Sequence, residues 1–166
     1  MVLGYSFTAL NYLLHCISRF CKKKYQMHIF DLAAKIAFIL GLYFMGSMGG
    51  ALSIVVNFFY LILGTIKETK GYKWPALYAF FQLLLLLVLI KTFVGISSIL
   101  VFMSTSITLF AIWWMPPQKM RVLGIVTNVI TLVYQLSIQN WAGLCELAVI
   151  TSNTVSYVKY RKSAKA

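Results

Sequence analysis

Few side chains in this chain could do chemistry. Its 166 residues include three carboxylates and two histidines. Glu146 is the one carboxylate clearly inside an apolar run. There it reads as a proton- or solute-binding group, or as a wetted residue near the outer mouth of a helix bundle. Asp31 and Lys35 are one helical turn apart, the spacing of a self-neutralising intrahelical ion pair. His15 is a candidate proton relay, or a hydrogen-bonded packing residue. Asn57 and Asn153 each carry amide donors and an acceptor, so two of them can clamp a hydroxyl- or amide-bearing solute. No His-Glu-x-x-His, nucleophile elbow or glycine-rich phosphate loop occurs, and no enzyme activity is expected. Three cysteines without Cys-x-x-Cys spacing indicate neither a disulfide framework nor a zinc site. No cofactor or metal is expected.

These polar residues fall in rows. Residues three, four or seven apart share a helical face. The rows are Thr8, Asn11 and His15; Ser53, Asn57 and Tyr60; Ser97, Ser104 and Thr108; Asn128, Thr131 and Gln135; and Glu146, Asn153 and Tyr157. The segment around Gln82 has no comparable row. The plain reading is that such groups join helices, each contributing about 0.6 kcal/mol on average. The functional reading is that the candidate solute-binding residues Asn57, Asn153, Glu146, Tyr60, Tyr157, Asn11, Asn128 and Gln135 line a common site.

The elements that carry the rows are membrane helices. Hydrophobic residues make up 61% of the chain and charged residues 11%, with a mean hydropathy of +0.84. A soluble domain is about 45–50% apolar and about 25% charged, so a water-soluble globule and a disordered chain are both excluded. Apolar runs are expected at 2–20, 29–45, 51–66, 75–91, 96–115, 122–138 and 142–160. At about 20 residues per span, seven spans leave no room for an extramembrane domain. The net charge of +12 sits in short clusters between the runs. That is how positive residues orient membrane helices, and nucleic acid is not an expected partner. With alternating spans, thirteen of the fifteen Lys and Arg residues fall on one side, Lys91 falls on the other, and Lys35 lies within a run. The N-terminus is therefore expected outside and the C-terminus in the cytoplasm. Gly46-Ser47-Met48-Gly49-Gly50 reads as an uncharged turn, and Gly46-x-x-x-Gly50 would permit close helix approach.

A shift of 96 residues aligns the first three helices with the last three without a gap. Lys23 falls on Lys119, Ile29 on Ile125, Leu40 on Leu136, Ile54 on Ile150 and Asn57 on Asn153. The fold expected is all-α: two parallel three-helix repeats, residues 1–70 and 95–166, joined by a linker helix within 71–94, a 3+1+3 plan.

Asn140-Trp141-Ala142-Gly143, followed by Glu146 and Asn153, resembles the bacterial inner-membrane family called YgjV. So does the Gly/Ala-rich start of the third helix leading to Asn57. The resemblance implies a multi-pass protein of the bacterial cytoplasmic membrane. The 3+1+3 layout is also similar to SWEET and PnuC transporters. In SWEETs, paired asparagines on the third and seventh helices bind solute at the centre, and Asn57 and Asn153 hold those positions. The function expected is a small-solute transporter or facilitator with a central site between the repeats. The alternative is a non-transporting accessory subunit or scaffold. The partners entailed are the lipid bilayer and a small polar solute, and a homo-oligomer is compatible with either reading.

Overall fold

The computed structural model describes residues 2–71 and 74–161. Lys73, Lys162 and Lys165, counted among the clustered charges, lie outside them. The described residues form seven α-helices and one short 3-10 helix. They are α1 (Val2–Phe20), α2 (Lys24–Phe44), α3 (Met48–Lys70), α4 (Pro75–Lys91), α5 (Ile96–Trp114), α6 (Pro117–Ser137), the 3-10 helix Trp141–Cys145, and α7 (Glu146–Tyr160). Four of them, α2, α3, α5 and α6, are long and apolar enough to cross a membrane.

Local chemistry explains where the helices begin and end. Pro75 and Pro117 each open a helix, where a missing N–H costs nothing and a fixed φ suits the first turn. The expected basic break at 116–121 is thus mostly the first turn of α6. The turn between α2 and α3 is shorter than the glycine run suggested. Gly46 takes φ 76°, a conformation open to glycine, while Gly49 and Gly50 already lie in α3. Both serve close approach, since a Cβ on Gly49 would lie 2.7 Å from the Thr92 hydroxyl and one on Gly50 1.9 Å from the Tyr134 hydroxyl, whereas Gly46 faces open space. The run expected as one seventh helix is broken: residues 141–145 wind as 3-10, and α7 starts at Glu146.

The helices pack in the cyclic order α1, α2, α3, α5, α6, α7 and back to α1. The ring leaves α4 outside, against α3 and α5. One end gathers the basic clusters. There Lys24 meets Glu68 at 2.6 Å. Arg121 donates to the carbonyls of Cys21 (2.8 Å) and Arg19 (3.3 Å), and Tyr160 donates to that of Phe20 (3.0 Å). A guanidinium on the last carbonyls of α1 also suits the negative end of its dipole. At the opposite end the Ser47 and Tyr134 hydroxyls meet at 2.7 Å, and Asn140 donates to Thr8 and Gln135.

Polarity is distributed from the inside outward. Leu83, Leu87 and Ile90 are exposed, whereas Thr8, Asn11, His28, Asn57, Gln135 and Asn153 are buried. A soluble protein buries its apolar residues and exposes its charges. This arrangement suits hydrocarbon outside and a polar seam within.

Candidate functional site

A cavity of about 90 Å³ lies within the ring. All six ring helices contribute to its lining, and α4 contributes none of the described residues. Counted from the basic end at 1.5 Å per residue, Asn11, Lys35, Asn57 and Asn128 stand about 13–20 Å along their helices. Each therefore sits near the middle of the bundle. Ser104 and Thr131 face them from α5 and α6 and bond to each other at 2.7 Å.

The amides of this layer are not consumed by the protein. One buried amide atom on each of Asn11, Asn57 and Asn128 has no hydrogen-bond partner. A buried polar atom left bare costs about 1–3 kcal/mol. Three converging on one cavity make a surface built to meet hydrogen-bonding groups that enter it.

Below this layer lies a charged cluster that spacing alone did not reveal. Arg19 donates to both oxygens of Asp31, at 2.9 and 3.0 Å. The Nδ1 of His15 stands 2.9 Å from Asp31 and 3.1 Å from the guanidinium. The expected Asp31–Lys35 pair is therefore corrected. In the α1–α2 hairpin, the terminal nitrogen Nη2 of Arg19 lies between both oxygens of Asp31, and the ammonium of Lys35 is left without an ion pair. Arg19 also ceases to be a loop charge, since it is 9% exposed. His15 is a hydrogen-bonded member of this cluster.

Lys35 and Glu146 are the other ionisable residues of the lining. Lys35 is 6% exposed and Glu146 5%. Neither makes a hydrogen bond or an ion pair with a described residue. Glu146 feels the charges of Arg19 and Lys35, and Lys35 those of Asp31, Arg19 and Glu146, all beyond contact distance.

The eight residues singled out in the sequence divide evenly. Asn11, Asn57, Asn128 and Glu146 line the cavity. Asn153 is fully buried one layer behind, against Gly124, with both amide atoms unpartnered. Tyr60 packs edge-on to Phe81, at 5.2 Å, and beside Trp113, at 5.5 Å, in the apolar cluster shared with α4. Gln135 accepts from Asn140 at 2.5 Å, beneath Gly143, at the end opposite the basic one. Tyr157 is half-buried on α7, away from the cavity lining. Arg19 was missing from the set. The available signal was its place at the close of α1, with Asp31 in the second turn of the next helix.

Toward that same opposite end lies a second, wider chamber of about 440 Å³. Its walls are the α2–α3 turn, Thr92, Ser97, Ser98 and Tyr134, none of them charged. On α3, α5 and α6 its residues Ser53, Val101 and Tyr134 stand about one turn from Asn57, Ser104 and Thr131 of the inner cavity. The Ser47–Tyr134 hydrogen bond lies in the wall of this outer chamber.

No curated protein and no solved structure matches the chain. The family model described as bacterial inner membrane protein, Imp-YgjV, matches residues 2–164. The polar seam, the lipid-suited exterior and the four helices long and apolar enough to cross a membrane agree with that description. The chain belongs to the Imp-YgjV family of bacterial inner membrane proteins.

Proposed function

We propose that this chain crosses the membrane seven times and passes a small polar solute through the centre of its helix ring. The observation that carries the reading is the mid-bundle cavity. Its unpartnered amides come from α1, α3 and α6, and α4 takes no part in it. Asn11, Asn57 and Asn128 would bind the solute's hydrogen-bonding groups directly. Asn153, Tyr60, Tyr157 and Gln135 would frame the site from the next layer, and Glu146 would set its charge.

The 3+1+3 plan belongs to this proposal. It is supported by the place of α4 outside the ring and by the two junctions, α3 on α5 and α1 on α7, that join the halves. In repeat-built transporters, solute sites lie at such an interface near the midplane. The gathered basic end would face the cytoplasm, and the uncharged chamber would open on the other side. The protein, purified in detergent, is tested by thermal shift against sugars, vitamins, nucleosides and amino acids. Hits then go to uptake assays in proteoliposomes. A solute that stabilises the protein and is taken up supports the proposal. Stabilisation by none of them favours the scaffold alternative.

A further inference from the structure

Five ionisable side chains line the central cavity: His15, Arg19, Asp31, Lys35 and Glu146. Three of them are bonded to one another in the Arg19–Asp31–His15 cluster. The remaining two, Lys35 and Glu146, have opposite sign and make no hydrogen bond or ion pair with any described residue. Both are more than nine-tenths buried. Lys35 comes from α2 and Glu146 from α7, the two ring neighbours of α1. Their charges therefore reach the cavity from either side of α1, and α1 itself presents the unpartnered amide of Asn11 there.

We infer that the solute of this cavity is a small zwitterion, its carboxylate met by Lys35 and its ammonium by Glu146. The inference rests on the solute-binding reading above and narrows it. Charge balance is the argument. With His15 neutral and the other four groups ionised, the two cations and two carboxylates of the lining cancel. A net-neutral solute with separated charges leaves that balance intact and meets both unpaired groups. An anion leaves Glu146 unmet, a cation leaves Lys35 unmet, and an uncharged polyol leaves both. A buried charge without a partner is strongly unfavourable, so the site discriminates by what each wrong solute leaves behind. Arg19 does not compete for the carboxylate, because its charge is already met by Asp31, to which its Nη2 donates twice. Size adds a second limit. The cavity, about 90 Å³, is smaller than the roughly 150 Å³ that takes one benzene. That suits a solute no larger than benzene in its number of non-hydrogen atoms, the class of glycine, alanine and β-alanine. The unpartnered amides of Asn57 and Asn128 then supply hydrogen bonds to either end.

The test is a binding series on the intact, purified protein, read by calorimetry or thermal shift. The probes are glycine, alanine and β-alanine, with glycinamide as the form lacking a carboxylate, glycolate as the form lacking an ammonium, and glycerol as the uncharged control. The zwitterions should bind at least about ten-fold more tightly than any of the other three, as expected when a built partner is left unmet. Lys35→Met should weaken glycine and strengthen glycinamide, whose binding no longer strands an ammonium. Glu146→Gln should weaken glycine and strengthen glycolate, whose binding no longer strands a carboxylate. Equal binding of glycine and glycerol overturns the inference, as does a uniform loss for every probe in both variants. Either result leaves the solute-binding reading intact if Asn57→Ala still weakens binding. Binding of no probe, and of no solute in the wider panel, overturns both. The comparison of probes on the unaltered protein decides the matter even if a variant fails to fold.

Discussion

Arg19 and Asp31 hold each other through two hydrogen bonds in a space that water barely reaches. Removing one partner leaves the other charged, buried and alone. Asp31→Ala should therefore lower stability by about 3–5 kcal/mol, and Arg19→Met by a similar amount. The double variant Arg19→Met with Asp31→Ala should lose less than the sum, because neither charge is stranded. Thermal denaturation of the four proteins in one detergent measures this coupling, and additive losses would show that the pair is not the unit it looks. Asn57 works differently. Its amide is buried in the cavity wall with an atom unpaired, so Asn57→Ala removes no protein hydrogen bond. The variant should fold normally and bind solute roughly ten- to a hundred-fold more weakly, the cost of about 1–3 kcal/mol for one unmet group. Titration of whichever solute the screen finds checks it. Unchanged affinity would move the binding site away from the cavity.

Among the elements, α4 has an attachment that its sequence conceals. Gln82 is its one mid-helix polar residue; it accepts from the Ser106 hydroxyl at 2.9 Å and donates to the Tyr78 hydroxyl at 3.0 Å. Far from idle, it clips α4 to α5. Gln82→Leu should cost about 0.6 kcal/mol, as interhelical bonds in membranes do on average, while solute binding stays unchanged because α4 does not line the cavity. A small fall in melting temperature with unaltered affinity is the expected pair of readings, and a loss of affinity would bring α4 into the site. Helix positions were largely legible in the sequence, since apolar runs, the helix-opening Pro75 and basic clusters all bear on one chain; the break read at 116–121 concealed that Pro117 opens α6. Partner choice was not. Residues three apart on a helix point about 60° away from each other. That is enough to send Asn57 to the cavity and Tyr60 to the α4 side. Seven residues keep a face but add about 10 Å of height, which carries Gln135 beyond the layer of Asn128. Asp31 had two basic candidates, and local spacing favoured Lys35. Only the meeting of α1 with α2 decided for Arg19.

At the scale of the whole molecule, charge is collected at one end. Lys24, Lys67, Arg121 and Tyr160 all bond or stack there, drawing on all six ring helices. If that end is cytoplasmic, a reporter fused after Ala166 should be active only as a cytoplasmic reporter, and one fused after Gly49 only as an external one. Reversal at either site would remove the seven-span reading and the repeat with it. The ring has a further property, which concerns the order of its making. Its closing junction joins α1 to α7, the first helix with the last, through contacts such as Tyr160 to Phe20. The Arg19–Asp31 pair needs only the first hairpin, so it can form as soon as α2 has emerged. The cavity cannot, because its wall lacks Glu146 until α7 has emerged. A chain stalled before Trp141 would hold Asn11, Asn57 and Asn128 along an open polar groove in the bilayer. During synthesis that groove needs shelter, from the insertion machinery or from α6 folding back over it, until the last helix seals the seam.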